Sequence, residues 1–142
     1  GTFKTPTPIG RFKVLNKQEL RISGKYPHYH MPHWQGITVS GVGFHALPYL
    51  PRVRGQSHST MVRNAAKDIE EAKVLQEESE APLTLNEALN IILGQEDNGQ
   101  FWKEALNHIG QRVSHGCIRL LPEDAEDFYK ITDLGWAVVT HN

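Results

Sequence analysis

The chain has 142 residues, of which 39% are hydrophobic and 22% are charged, a composition typical of a globular domain with one core. No apolar run approaches the ~20 residues that a membrane span needs, and no basic stretch followed by an apolar one suggests a signal peptide. The net charge of −1 is unevenly distributed, because residues 1–63 carry nine basic and one acidic side chain, whereas residues 64–142 carry six basic and fifteen acidic ones.

The basic first part of the chain suits an anionic polymer such as peptidoglycan, or it is simply the solvated surface of strands. The lysines and arginines are dispersed and show no base-reading pattern, so we expect no nucleic acid partner.

In chain order, strands are predicted first, helices in the middle and a strand last. Residues 9–15 and 36–42 have β-branched and alternating character, which predicts two strands that pair in an antiparallel or mixed sheet. Apolar residues recur at helical spacing from residue 57 to about 79, which predicts a surface helix.

Three further helices and one strand follow. Thr84 and Glu87 form a capping-box pattern at the start of a helix that runs to a terminating Gly94. A second helix is predicted over 98–110, and Pro122 is predicted in the first turn of a third. Residues 136–140 are predicted to form the last strand.

Cys117 is the only cysteine, so it cannot form a disulfide within the chain. A lone cysteine is often a buried structural residue. Here Gly116 permits a tight or positive-φ turn that would expose the sulfur, and Ser114 and His115 place a hydroxyl, an imidazole and amides nearby. Such surroundings can lower a thiol pKa and hold a carbonyl substrate, which favours a nucleophile.

Three segments in order resemble the L,D-transpeptidase catalytic domain (YkuD-type) family, whose members cross-link bacterial peptidoglycan. Ser-His-Gly-Cys-Ile-Arg-Leu at 114–120 resembles the nucleophile motif of the family. Lys-Thr-Pro-Thr-Pro-Ile-Gly-Arg-Phe at 4–12 is similar to its first strand, and Met-Pro-His-Trp at 31–34 with Gly-Val-Gly-Phe-His at 41–45 is similar to its central motif.

The resemblance implies a single catalytic domain over 1–142. Its fold class is mixed β with α, an L,D-transpeptidase-like β-sandwich or barrel-like sheet with a helical insertion at approximately 52–110. Members of the family usually carry one or two strands before the first motif. We therefore expect those strands to be missing here or another element to cover that edge of the sheet.

The position of the general base departs from the usual pattern of the family. A histidine normally precedes the nucleophile motif by fifteen to eighteen positions, but residues 96–99 contain none. His45 matches best, which places the helical insertion between base and nucleophile. Such an insertion adds little loop-closure entropy. His108 and His58 are the alternative bases.

The implied chemistry is acyl transfer through a thioester. His45 would take the thiol proton, and Cys117 would attack the amide between diaminopimelate and the terminal D-Ala of a tetrapeptide stem. Amides of the turn formed by Ser114, His115 and Gly116 would stabilise the oxyanion. An amine of a second stem would then form a 3→3 cross-link.

Two alternatives stay open. With water as the acceptor, the same site is an L,D-carboxypeptidase or endopeptidase. In the second alternative, the chain is a secreted antibacterial effector domain that modifies the cell wall. The resemblance implies a periplasmic, envelope-associated or secreted protein, and the sequence leaves the oligomeric state unknown.

Several other residues are candidates for the site. Arg119 would pair with a stem-peptide carboxylate, and His33 and Trp34 would form one wall of the cleft. The histidines at 28, 30 and 33 suggest a zinc site. Tyr29 and Pro32 prevent the three from sharing one face of a helix, and no cysteine accompanies them, so we expect no metal. Neither a phosphate-binding glycine loop nor a dinucleotide fingerprint occurs, and we expect no cofactor.

Overall fold

The computed structural model describes residues 6–24, 28–50, 55–93 and 116–141, and these form six strands and three helices. The strands are β1 (Gly10–Lys13), β2 (Asn16–Ile22), β3 (His30–Gly36), β4 (Gly43–Ala46), β5 (Ile118–Leu120) and β6 (Ala137–Thr140). The helices are α1 (His58–Glu78), α2 (Leu85–Ile92) and α3 (Pro122–Ile131).

The strands form two sheets, which confirms the mixed β and α class without a closed barrel in the described part of the chain. One sheet has the order β2-β3-β4-β5, and the other is the antiparallel pair of β1 and β6. Within the larger sheet, β2, β3 and β4 are antiparallel neighbours, whereas β4 and β5 run parallel.

All three helices lie on one face of the larger sheet. Phe44 of β4 packs edge-on against Phe128 of α3, with ring centroids 5.1 Å apart, and Gln35 of β3 accepts a hydrogen bond from Thr132 just after α3. Helix α1 packs against β2, where Leu20 contacts the α1 side chains, and α2 contacts both α1 and α3. The main apolar core lies between these elements and comprises Tyr49, Ile69, Ala72, Leu85, Ala88, Leu89 and Leu93.

The helix boundaries follow from their capping residues. Ser57 caps α1 by accepting from Thr60 N, and the buried positions 61, 65, 69 and 72 form the predicted apolar face. Thr84 caps α2 by accepting from Glu87 N at 3.1 Å, while the Glu87 carboxylate accepts from the Thr84 hydroxyl. Pro122 stands at the start of α3, as predicted.

The predicted strand at 36–42 is wrong. Strand β3 ends at Gly36 and β4 begins at Gly43, so the residues between them form the hairpin turn. The Thr38 hydroxyl accepts from Val42 N at 3.0 Å, and Gly41 has a φ of +97°. Both features belong to a closed turn and are incompatible with a continuous strand.

The pairing of the first predicted strand is also different from the expectation. Strand β1 pairs with β6, with Phe12 opposite Val138, and joins no strand of the larger sheet. The final strand and the helices that begin at residues 58, 85 and 122 are confirmed. The predicted helix at 98–110 and the stop at Gly94 lie outside the described residues. No described helix is long and apolar enough to cross a lipid bilayer.

Candidate active site

Cys117 follows a turn that only glycine adopts readily. Gly116 has a φ of +108°, and a Cβ at this position would lie 3.3 Å from Val42 Cγ2. The hydroxyl of Thr7 donates to the Gly116 carbonyl oxygen over 2.9 Å. Because the Gly116 carbonyl and the Cys117 N–H belong to one planar trans peptide and point in opposite directions, Thr7 also orients that N–H.

The thiol of Cys117 is protonated in its resting state. Burial raises its pKa above the ordinary value, and a backbone hydrogen bond from Gly43 and the charges of Arg119 and Arg21 oppose this shift only in part. The Sγ atom lies 3.6 Å from the Gly41 carbonyl oxygen, which accepts the thiol proton in a weak hydrogen bond. The turn alone therefore does not produce a thiolate.

His45 lies on β4, the parallel neighbour of the strand that follows Cys117. The register pairs His45 with Arg119 and Phe44 with Ile118, so Cys117 enters the sheet beside Gly43. Residues opposite one another in register, and residues two apart on one strand, share a face of the sheet. The side chains of His45, Arg119 and Cys117 are thus brought to the same face.

The imidazole of His45 is neutral and held in one tautomer. Its Nδ1 lies 2.6 Å from the Ala46 carbonyl oxygen, which only accepts, so Nδ1 carries the proton and Nε2 keeps its lone pair. The side chain is only 3% exposed, and burial lowers its pKa from 6.5 to about 4. At neutral pH an imidazole with this pKa stays unprotonated in water, so it would receive a proton only from a donor directly hydrogen-bonded to it.

Trp34 lies on the face of Cys117 and is 1% exposed. Its ring stacks on His45 with centroids 5.9 Å apart and planes 21° from parallel, and its Nε1 donates to Asn16 Oδ1 over 2.7 Å. The guanidinium carbon of Arg21 lies 4.8 Å from the centroid of the indole ring. Trp34 therefore contacts both His45 and Arg21.

His33, next to Trp34 in β3, points to the opposite face and is not brought to Cys117. It has a φ of +53°, is 3% exposed, and lies against Tyr129 and Glu126 of α3, with Nε2 3.8 Å from Glu126 Oε1. Burial lowers its pKa from 6.5 to about 4, because desolvation outweighs the opposing charge of Glu19. The same Glu126 oxygen accepts from Leu85 N at the start of α2.

Arg119 lies within electrostatic range of both Cys117 and Tyr29. Burial lowers the pKa of its guanidinium, and these two groups oppose the shift. Among the other candidates, Ser114, His115 and His108 lie outside the described residues. His58 on α1 hydrogen-bonds the Ile22 carbonyl oxygen at 3.1 Å, on the side of the sheet that carries the helices.

The histidines considered for zinc do not converge in the described part of the chain. His28 and His30 are linked by a hydrogen bond from the imidazole of His30 to the His28 carbonyl oxygen at 3.1 Å, while His33 lies against α3. Within residues 6–24, 28–50, 55–93 and 116–141, no three histidine, cysteine, aspartate or glutamate side chains form a metal-binding group.

Sequence reasoning assigned no role to Thr7 or Arg21. Thr7 stands inside the first motif, so that motif already marked the neighbourhood of the site, although nothing in the sequence indicated a contact with Gly116 across more than a hundred residues. Arg21 was missed because β2 was not predicted, and without a strand its alternation toward the face of Trp34 could not be recognised.

Comparisons with known proteins concern the family of one segment and the fold of the chain. Residues 93–140 match the family model described as the L,D-transpeptidase catalytic domain. No curated protein matches the chain.

Solved structures with a similar fold include an L,D-transpeptidase from Stackebrandtia nassauensis, with 20% identity and a TM-score of 0.51, covering 100% of this chain and 41% of that one. One from Mycobacterium smegmatis has 19% identity and a TM-score of 0.52, with 100% and 46% covered. One from Mycobacterium tuberculosis H37Rv has 23% identity and a TM-score of 0.51, with 100% and 40% covered.

The chain therefore spans less than half the length of each of these proteins. At such identities the likeness establishes the fold, while the family match covers the segment that carries Cys117. Together they confirm the resemblance found in the sequence: residues 93–140 match the L,D-transpeptidase catalytic domain family, and the chain has the fold of the L,D-transpeptidases.

Proposed function

We propose that this chain is a cysteine acyl transferase that acts on the stem peptides of bacterial peptidoglycan. The observation that carries the proposal is the arrangement of a thiol, Cys117, at a positive-φ glycine turn, with a buried neutral imidazole, His45, on the adjacent parallel strand and the same face. The family match over 93–140 supports this substrate class, and we propose that the protein acts outside the cytoplasm, in the periplasm, at the cell envelope or as a secreted protein.

The reaction begins from a neutral pair. When the donor binds, His45 Nε2 takes the proton of the Cys117 thiol, and the sulfur attacks the carbonyl carbon of the amide between diaminopimelate and the terminal D-Ala. The developing oxyanion accepts hydrogen bonds from backbone amides of the Gly116–Cys117 turn, of which the Cys117 N–H is oriented through Thr7.

The proton then returns from His45 to the leaving amine, the C–N bond breaks, and D-Ala departs, leaving a thioester on Cys117. The side-chain amine of a second stem attacks the thioester, the C–S bond breaks, and a 3→3 cross-link forms with the thiol regenerated. Water in place of the amine gives hydrolysis, the carboxypeptidase or endopeptidase alternative.

Arg119 is the proposed partner of a stem-peptide carboxylate, because it lies beside the thiol on the same face. Trp34 is the proposed floor of the cleft, since it is covered by Arg21 and stacks on the base. His33, on the other face, is proposed to act on the cleft wall only through its neighbour Trp34 in β3.

The described helices of the insertion leave the site face uncovered. Helix α1 packs against Leu20 of β2, and α2 packs against α1 and α3. Helix α3 lies on the face of Phe44, whereas Cys117 and His45 lie on the opposite face. We therefore propose that α1 and α2 do not block a second stem.

Digestion of purified sacculi, followed by mass spectrometry of the muropeptides, tests the proposal. The expected products are free D-Ala and 3→3 dimers, both absent with Cys117→Ala, which removes the sulfur and little volume. Trimmed tripeptides without dimers would establish the hydrolase. Unchanged turnover in Cys117→Ala would refute the proposed function. His45→Gln should keep its fold and lose turnover.

A further inference from the structure

Arg21 is placed as a fixed cation on the reactive face of the sheet. Its guanidinium carbon lies 4.8 Å from the centroid of the Trp34 ring, close enough for a cation–π interaction. Trp34 is itself immobilised, because it is 1% exposed and its Nε1 is hydrogen-bonded to Asn16. A flat guanidinium lying on a buried ring loses much of its side-chain freedom before any ligand binds.

No acidic side chain of the described residues forms an ion pair with Arg21. The pairs seen there are His33 with Glu126 and Lys73 with Glu19. The guanidinium thus stands on the indole with its hydrogen-bond donors not committed to any carboxylate of the described part. A guanidinium in this state is suited to an anion that arrives with a ligand.

The charge of Arg21 also reaches the nucleophile. Together with Arg119 it acts on Cys117 to lower the thiol pKa, against the larger effect of burial. Arg21 comes from β2 and Arg119 from β5, at opposite sides of the four-stranded sheet. A donor bound across this face from the thiol toward β2 meets Arg21.

We propose that Arg21 binds the free carboxylate of the acyl donor, the one on the residue that leaves when Cys117 attacks. The inference rests on the proposed function, since it names which group of the stem peptide this arginine recognises. The terminal D-Ala bears a carboxylate one carbon beyond the scissile amide nitrogen, and a guanidinium holds such a group through two parallel hydrogen bonds. Arg21 then determines specificity for a donor with an unblocked C-terminus.

The first experiment requires no peptide turnover. Alkylation of Cys117 is measured at pH 8 with iodoacetate, which is anionic, and with iodoacetamide, which is neutral. Both reagents attack the same thiolate, so the ratio of their rates cancels any change in thiol pKa and reports attraction of an anion to the site. We expect Arg21→Gln to lower this ratio about threefold to tenfold, as the loss of one near charge would, and high salt to shrink the difference.

Two control variants make the result specific. Arg11→Gln removes an equal charge from an exposed position on β1 and should leave the ratio unchanged. Arg21→Lys keeps the charge and should retain most of the preference, which separates charge from packing on Trp34. An unchanged ratio in Arg21→Gln, or an equal fall in Arg11→Gln, overturns the inference.

The second experiment compares a tetrapeptide donor with its C-terminal amide. The wild-type protein should release D-Ala from the free acid about tenfold faster, in kcat/KM, than D-alaninamide from the amide, and Arg21→Gln should abolish this difference. A preference that survives in Arg21→Gln overturns the inference and spares the proposed function. Release from neither donor by the wild-type protein refutes the proposed function, and the alkylation ratio then decides whether Arg21 attracts an anion.

Discussion

Acidification should destabilise this protein through His45 and His33. Both imidazoles are 3% exposed, and burial lowers the pKa of each from 6.5 to about 4. In the unfolded chain each histidine regains its ordinary pKa, so between pH 6.5 and 4 the unfolded state binds more protons than the folded one. The stabilisation is therefore complete above pH 6.5 and is lost as the pH falls toward 4.

The size of the loss follows from the two pKa values. Between pH 7 and pH 5 each histidine costs about 2 kcal/mol of unfolding free energy, and the two together about 4 kcal/mol. A domain of this kind has a total stability of roughly 5–15 kcal/mol, so the loss is a large share of the whole.

Urea unfolding at pH 7 and pH 5 measures the loss, with each variant compared with itself at the two pH values. We expect His33→Asn and His45→Gln each to lose about 2 kcal/mol less than the wild-type protein on acidification. Asparagine is chosen at position 33 because it tolerates the left-handed φ of +53°.

His141→Gln, at an exposed position, is the matched control and should match the wild-type loss. If the wild-type protein and both buried-site variants lose the same free energy, the two imidazoles are not buried in neutral form and the resting state described for the site is wrong.

Four further outcomes follow from the site. Thr7→Val should slow acylation by a peptide donor about tenfold, because it frees the oxyanion amide, and should leave alkylation by iodoacetamide unchanged, because that reaction forms no oxyanion. Gly116→Ala should cost about 1–3 kcal/mol of stability by urea unfolding and lower thiol reactivity, since alanine is strained at a φ of +108°; equal stability would refute the turn geometry. The iodoacetamide rate at Cys117 should still rise above pH 9, the ordinary thiol value, and a plateau at neutral pH would contradict the protonated resting thiol. A carbapenem should give a single adduct in intact-protein mass spectrometry, and Cys117→Ala should give none. If the wild-type protein forms no adduct but still turns over muropeptides, the cleft is not open to a bicyclic ligand.

The helices and the glycine turn before Cys117 could be predicted because their signals are local. Ser57 and Thr84 act as caps through contacts three residues away, and Pro122 fixes a first turn by its own ring. The cysteine motif combines a glycine that the turn requires with the sulfur beside it. These features depend on neighbours in the sequence.

The strands that build the site face could not be predicted in the same way. Residues 36–42 look like a strand because of their β-branched residues, but Gly41 and the Thr38 hydroxyl close them into a turn. Strand β2 is mostly polar, and β3 contains a proline and a left-handed histidine, so neither shows clean alternation. The face that joins Arg21 to Trp34 depends on that pairing, and the sequence did not predict it.

The parallel pairing of β4 and β5 accommodates a long connection between His45 and Cys117, the proposed base and nucleophile. Two parallel strands cannot be joined by a tight hairpin, and their connection must cross over one face of the sheet, usually through a helix. Helices α1 and α2 belong to that connection and share their face with α3, where the Glu126 carboxylate caps α2 by accepting from Leu85 N over 2.7 Å. Because strand register, and not the length of the connection, places Cys117 on the same face of the sheet as His45, the crossover can grow on the helical face without moving either group.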